Sequence, residues 1–477
     1  MTIHRAPGLT SAQLDRAAGV LLATACGDAL GAGYEFGPPL AESTPVVMEG
    51  GGAFDLAPGE WTDDTSMAVA IAEVAATGAD LPTPAALDAI GARWEVWART
   101  APDVGIQTRA VLSAAGREPT GAGLAAAAKA HHERTGRSGG NGSLMRTAPV
   151  ALAYLHDPEA LVEAALTLSA LTHYDPEAGE ACALWCLAIR HAVLEGDLDG
   201  LRAAVADLPA DRAAVWSARL DEAEANPPSH FEHNGWVVQA LQGAWSAITR
   251  TPVPVQEPAS GTFAAQHLQH ALEAAVRGGR DTDTVAAIAG GLLGARWGAS
   301  AVPAPWRRIV HGWPGLRARD LVRLAVLTTQ GGRGDRAGWP SRQVLDYSDY
   351  GDTSALAFHP HDNGVRLGGV SIARSLPDGV DAVVSLCRLG DGEAPAPGVA
   401  PGDHVEVWLV DSDEASKNPN LDFVLHDAAR IVATLRAEGR TVLVHCVQAV
   451  SRTPTLAALH STLNLGVDVD AALDDVR

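Results

Sequence analysis

From Thr10 to about Gln330, apolar residues recur at intervals of three and four, as in residues 86–97, 159–171 and 179–194. That spacing lines one face of a helix, and no stretch here alternates with the period of two that marks a strand. Glycine clusters and prolines punctuate the pattern. Residues 252–262 are proline-containing and loop-like, and they interrupt the helical region rather than end it. The first two-thirds of the chain are therefore expected to be all-α. Alanine is abundant and only 5% of residues are aromatic, which favours closely packed helices.

At Gly331 the character changes. Residues 331–342, GGRGDRAGWPSR, are polar and glycine-rich, as a linker would be. Short β-rich runs follow at 365–368, 382–387, 405–410 and 441–445, with a helical stretch at 421–438 and another helix expected after Cys446. Alternating β and α signals predict a small α/β domain with a mainly parallel sheet. The expected organisation is an all-α domain over 1–330, a linker over 331–345 and an α/β domain over 346–477.

A formal net charge of −22 argues against nucleic acid or anionic membrane surfaces as general partners. The five cysteines, Cys26, Cys182, Cys186, Cys387 and Cys446, form no CxxC pair and no even framework, which fits a reducing cytoplasm. Residues 17–33 are apolar but hold Asp28 and several glycines, so they read as a buried helix rather than a signal peptide. No segment is expected to span a membrane.

Two acidic clusters carry chemistry. Trp61-Thr62-Asp63-Asp64-Thr65 precedes one helical run and Gly278-Gly279-Arg280-Asp281-Thr282-Asp283-Thr284 precedes another. Capping a helix needs one Asp or Thr, and each cluster has several. If the clusters meet in space, their carboxylates converge, which is costly unless cations neutralise them. Carboxylate and hydroxyl oxygens are hard ligands, suited to Mg²⁺ or Mn²⁺. Three segments keep them company: residues 27–35, GDALGAGYE, with acids at Asp28 and Glu35; residues 138–146, SGGNGSLMR, a loop that can offer amides to a phosphate; and Thr172-His173 between two helices.

In this order, these motifs and GRDTDTVAAIAGGLLGA resemble the ADP-ribosylglycohydrolase family over about residues 15–327, and Asn234-Gly235-Trp236 fits the same style. The resemblance implies an all-α fold holding two divalent metals, Mg²⁺ or Mn²⁺, and hydrolysis of ADP-ribosylated proteins or small molecules to release ADP-ribose. It assigns Thr62, Asp63 and Asp64 to one half of the metal site and Asp281, Asp283 and Thr284 to the other, with Glu35 and Asp63 as catalytic residues. Ser138, Gly140, Asn141 and His173 fall where relatives hold the diphosphate and ribose. Arg280 stands where glycine is common. The alternative is a non-catalytic ADP-ribose binder that keeps the fold.

Near the C-terminus, Val444-His445-Cys446-Val447-Gln448-Ala449-Val450-Ser451-Arg452-Thr453-Pro454 runs from a strand into a helix. Amides at a helix start attract an anion and lower a thiol's pKa, and arginine grips phosphate. With this motif, the region from roughly Tyr347 to the end resembles the dual-specificity and tyrosine phosphatase superfamily. That implies Cys446 as nucleophile, Arg452 as phosphate clamp, Thr453 assisting thiolate release and Asp411 (or Asp413) as general acid, acting on a phosphate monoester. Ala449 departs from the glycine usual at its position.

Overall fold

The computed structural model describes residues 8–476, which divide into two compact units. The first comprises residues up to Val253, His267–Val302 and Val310–Gly332. It is built almost wholly of helices, of which four matter most: α1 (Ser11–Gly31), α2 (Asp63–Ala75), α3 (Thr282–Trp297) and α4 (Ala318–Thr329). One short exception to the all-α expectation is a hairpin of β1 (His311–Gly312) and β2 (Leu316–Arg317), too brief to leave a periodic signal.

Helix α1 is buried along nearly its whole length. By length and composition residues 11–34 could cross a membrane, but 89% of that window is buried inside the unit, so it is the core helix. Its main partner is α3, and glycine sets the distance between them. A β-carbon on Gly31 would stand 2.5 Å from Asp283 Cα, and one on Gly19 would stand 2.5 Å from Gly294 O. Gly27, Gly290 and Gly294 likewise lie directly against the facing backbone. Glycine at four-residue spacing on α1, with Ala23 between, and again on α3, permits this approach because the ridge carries no side chain. The helix ends thereby bring Asp28 beside Asp283.

The second unit comprises Pro254–Gln266, Pro303–Ile309 and Arg333–Arg477. It holds five strands: β3 (Leu356–Phe358), β4 (Val365–Gly368), β5 (Ala382–Ser385), β6 (His404–Glu406) and β7 (Val442–His445). They lie in the order β3-β4-β7-β5-β6, and every pair except β3–β4 is parallel. Two helices follow the sheet's connections, α5 (Leu421–Ala437) and α6 (Arg452–Leu465). Side chains alternate between faces. Ala382, Val384, Val442 and Val444 join the core under α5 and α6, whereas Val383 and Leu443 join a second core with Ala373. A sheet covered on both faces explains why its strands read as continuous apolar runs.

The edge strand β3 has no buried residue and so left no hydrophobic pattern. Strands β5 and β6 end earlier than the apolar runs, and beyond their ends the carbonyls of Leu386 and Leu409 accept the Arg452 guanidinium at 2.7 and 3.3 Å. The insertions are integral to this unit. Ala304 sits in its core, its N–H donates to Asp427 Oδ2 at 2.9 Å, and Phe263 packs edge-on to Phe423.

Candidate active sites

Neither acidic cluster of the helical unit caps its own helix: Thr62 before α2 and Asp281 before α3 make no side-chain capping bond. Helix α2 is capped instead from α1, where Asp28 accepts Thr62 N and Thr65 N, each at 2.9 Å. The cluster side chains are thus left to face one another.

They converge in two groups. Carboxylate oxygens of Asp28, Asp64 and Asp283 lie within 4.8 Å of one another, as do those of Glu35, Asp281 and Asp283. Asp283 belongs to both. The Thr62 hydroxyl lies 2.9, 3.0 and 3.3 Å from oxygens of Asp28, Asp64 and Asp283, yet has one proton to donate. Asp64 Oδ1, Asp283 Oδ1 and Glu35 Oε2 are buried without a hydrogen-bond partner among the described residues. Unpaired hard oxygens at this spacing could hold metal ions.

Burial followed by mutual repulsion drives these carboxyls above their ordinary values. Burial, then the charges of Asp281 and Asp103, raises Glu35 to about 9. Burial, then Asp103, raises Asp63 to about 8. Burial raises Asp28 to about 6 against the hydrogen bonds from Thr65 and Thr62. Asp64 and Asp283 are raised well above the usual carboxylate range by burial and then by Asp28 and Asp64 respectively.

The assigned residues do not all stand alike. Asp63 turns Oδ2 to Gly105 N at 3.2 Å and enters neither triad. Thr284 is buried one residue beyond Asp283. Asp28 enters a triad although sequence marked it only as an acid near a helix end. Asp103 acts on Glu35 and Asp63 from an irregular segment that carried no signal.

The glycine loop is tied to the second cluster. Asn141 Nδ2 donates to Asp281 Oδ2 at 2.7 Å and to Asn234 O at 2.9 Å, and Asn141 N donates to Gly235 O at 3.1 Å. Asn234 in turn accepts Asp281 N at 3.2 Å and donates to Gly279 O at 3.0 Å. Ser138 is buried with its hydroxyl 2.6 Å from His132 Nδ1. His173 lies under the loop, such that a β-carbon on Gly140 would stand 3.3 Å from its Nε2. Burial, then Arg146, keeps His173 well below its ordinary pKa and hence neutral. Arg146 donates to Thr172 Oγ1 at 2.8 Å, and the same hydroxyl lies 2.7 Å from His173 Nδ1.

In the second unit Cys446 follows the central strand β7, and residues 446–451 lead into α6. Ala449 adopts φ 62°, the left-handed conformation that glycine takes freely, so the loop keeps its turn at a cost in strain. Burial opposes ionisation of Cys446, but the Thr453 hydroxyl and amide, the Arg452 charge and the Ala449 amide outweigh it and hold the thiol below its ordinary value. Arg452 Nη2 pairs with Asp411 Oδ2 at 3.2 Å. The Ser385 hydroxyl lies 2.6 Å from His445 Nε2 and 2.7 Å from His404 Nε2, an anchor for the loop's first turn that sequence did not disclose.

The fold and first site define a class of helical protein in which two carboxylate groups that could hold metal ions lie tied to a glycine-rich loop. Residues 9–335 match the model of the ADP-ribosylglycohydrolase family. The ADP-ribosylarginine hydrolase Tri1 of Pseudomonas putida (strain GB-1) is 31% identical over 308 residues, covering 63% of this chain and 76% of that protein. The ADP-ribosyl-[dinitrogen reductase] glycohydrolase of Rhodospirillum rubrum is 30% identical over 300 residues, covering 61% and 89%. The human ADP-ribosylhydrolase ARH3 is 28% identical over 215 residues, covering 39% and 58%. The chain belongs to the ADP-ribosylglycohydrolase family.

Proposed function

We propose that this protein is a metal-dependent hydrolase that releases ADP-ribose from ADP-ribosylated substrates. The observation that carries the reading is the pair of carboxylate triads sharing Asp283, tied through Asp281 and Asn141 to the glycine loop. Asp28, Asp64 and Asp283 would hold one Mg²⁺ or Mn²⁺ and Glu35, Asp281 and Asp283 a second, with Thr62 and Thr284 adding hydroxyl oxygens. When bound, the cations supply charge that fixes ribose hydroxyls and polarises a water.

The chain's own residues do the rest. The Gly140 amide, with Ser138 and His173 Nε2, would receive the diphosphate and ribose. Asp63 holds the Gly105 segment at the mouth. Glu35 offers its free Oε2 to orient the water or to pass a proton to the departing group. Water adds at the anomeric carbon, the bond to the acceptor breaks through an oxocarbenium-like state, and the acceptor regains a proton. Arginine is the first acceptor to test, given the named activity of the Tri1 relatives. Free ADP-ribose should appear from arginine-linked peptides with Mg²⁺ or Mn²⁺ and not with chelator. Asp283→Asn should lower the rate by at least about a hundredfold. Release that persists in chelator would refute metal dependence.

A second reading concerns the other unit, and the Cys446–Arg452 loop favours it. Cys446 would attack a phosphate monoester, Arg452 and the loop amides would hold the equatorial oxygens, and water would then free the phosphate from sulfur. Asp411 would protonate the leaving oxygen after parting from Arg452, with Thr453 assisting the thiolate. Hydrolysis of p-nitrophenyl phosphate should vanish in Cys446→Ser; equal turnover in that variant would exclude the cysteine.

A further inference from the structure

Among the described residues four non-glycine residues have positive φ: Phe36, Asp55, Arg280 and Ala449. Phe36 and Arg280 face each other. Phe36 N donates to Arg280 O at 2.6 Å, and Arg280 N donates to Gly37 O at 2.8 Å. Each adjoins an acid of the helical unit's site, Glu35 and Asp281. Arg280 has φ 69° and an exposed side chain. Glycine would meet that backbone demand without strain, so the backbone itself does not call for an arginine here.

Among the described residues that side chain has no hydrogen-bond or ion-pair partner, although the residue adjoins Asp281 of the acidic cluster. Its neighbours show where it can work. Gly279 O and Asp281 N are both bonded to Asn234, whose carbonyl accepts Asn141 of the glycine loop. The arginine's backbone is therefore fixed one residue link from the loop that would receive the diphosphate. The site's acids repel that diphosphate, and one nearby cation, Arg146, is buried and committed to Leu168 O and Thr172.

We infer that Arg280 is a specificity residue whose guanidinium engages the diphosphate of the ADP-ribosyl group at the mouth of the site. The inference rests on the proposed hydrolase function and deepens it. A free guanidinium offers paired donors to phosphate oxygens and offsets the surrounding negative charge.

The test is calorimetric binding of ADP-ribose and of adenosine to the full chain and to Arg280→Gly, Arg280→Gln and Arg280→Lys. Charge-assisted contacts of this kind correspond to about tenfold weaker ADP-ribose binding in the Gly and Gln variants. The Lys variant should keep most of the affinity, and adenosine, which lacks the diphosphate, should bind all four alike. Equal ADP-ribose affinity across the series would overturn the inference while leaving the hydrolase reading intact. So would a loss in Gly that Gln does not share, since that assigns the effect to backbone. A wild-type chain that binds no ADP-ribose would overturn the hydrolase reading itself, and this inference with it.

Discussion

Asp28, Asp63 and Glu35 show at residue scale what the site demands. In the metal-free protein their carboxyls lie at about 6, 8 and 9 instead of 3.8 for the aspartates and 4.5 for the glutamate, because burial and neighbouring acids penalise the charged form. A carboxyl raised on folding stabilises the folded state below its unfolded pKa and loses that contribution as pH rises through its folded pKa. Metal-free protein should therefore lose thermal stability from about pH 4 to about pH 9. A divalent cation favours the ionised carboxylates, so the melting-temperature gain from Mn²⁺ should grow over the same window. A gain independent of pH would show that the acids do not bind the ion together. The acids themselves were legible in sequence, since two hydroxyl-and-carboxylate clusters exceed what capping needs. The Arg146–Thr172–His173 chain was not, because it joins Arg146 to residues distant in sequence through side-chain direction alone.

At the scale of elements, the α1–α3 contact decides the geometry. Sequence marked both helices as apolar and glycine-rich, but periodicity does not name a partner. The small residues at four-residue spacing acquire meaning only when the helices face each other. Gly294→Ala would drive a methyl group into the Gly19 backbone. Backbone cannot yield as a flexible side chain does, so the variant should lose about 3 kcal/mol of stability, read from denaturant melts. Metal-induced stabilisation should weaken with it, because Asp28 and Asp283 would move apart. A variant as stable as the parent would mean the ridge is slack. In the second unit the central strand and the Cys446 loop were legible from an apolar run ending in a polar turn. The strand ends were not, because the apolar runs continue past the last paired residues.

For the whole molecule, the second unit is not contiguous in sequence. Residues 254–266 and 303–309, which lie within the stretch matched by the family, pack with residues 333–477. They bracket the helical hairpin that supplies Asp281 and Asp283. Arg307 pairs with the buried Asp427 at 3.2 Å, and Arg308 reaches Asp403 at 3.1 Å and Glu438 at 2.9 Å. Residues 333–477 expressed alone would leave Asp427 buried without its partners, a loss of about 3 kcal/mol or more from a small core. The fragment should show no cooperative thermal transition by circular dichroism. A sharp transition would mean that its core is complete without the insertions.

Sequence by itself determined the helical and α/β halves, the two acidic clusters, the glycine loop and the cysteine loop, because period, turn chemistry and residue type are local properties. Only the tertiary structure decided that Asp28 joins Asp64 and Asp283, that Asp63 turns to Gly105, that Arg280 adopts a left-handed backbone against Phe36 and Gly37, and that two insertions belong to the other unit. Each depends on contacts between segments far apart in the chain, where packing distance and burial, rather than spacing, set which groups meet.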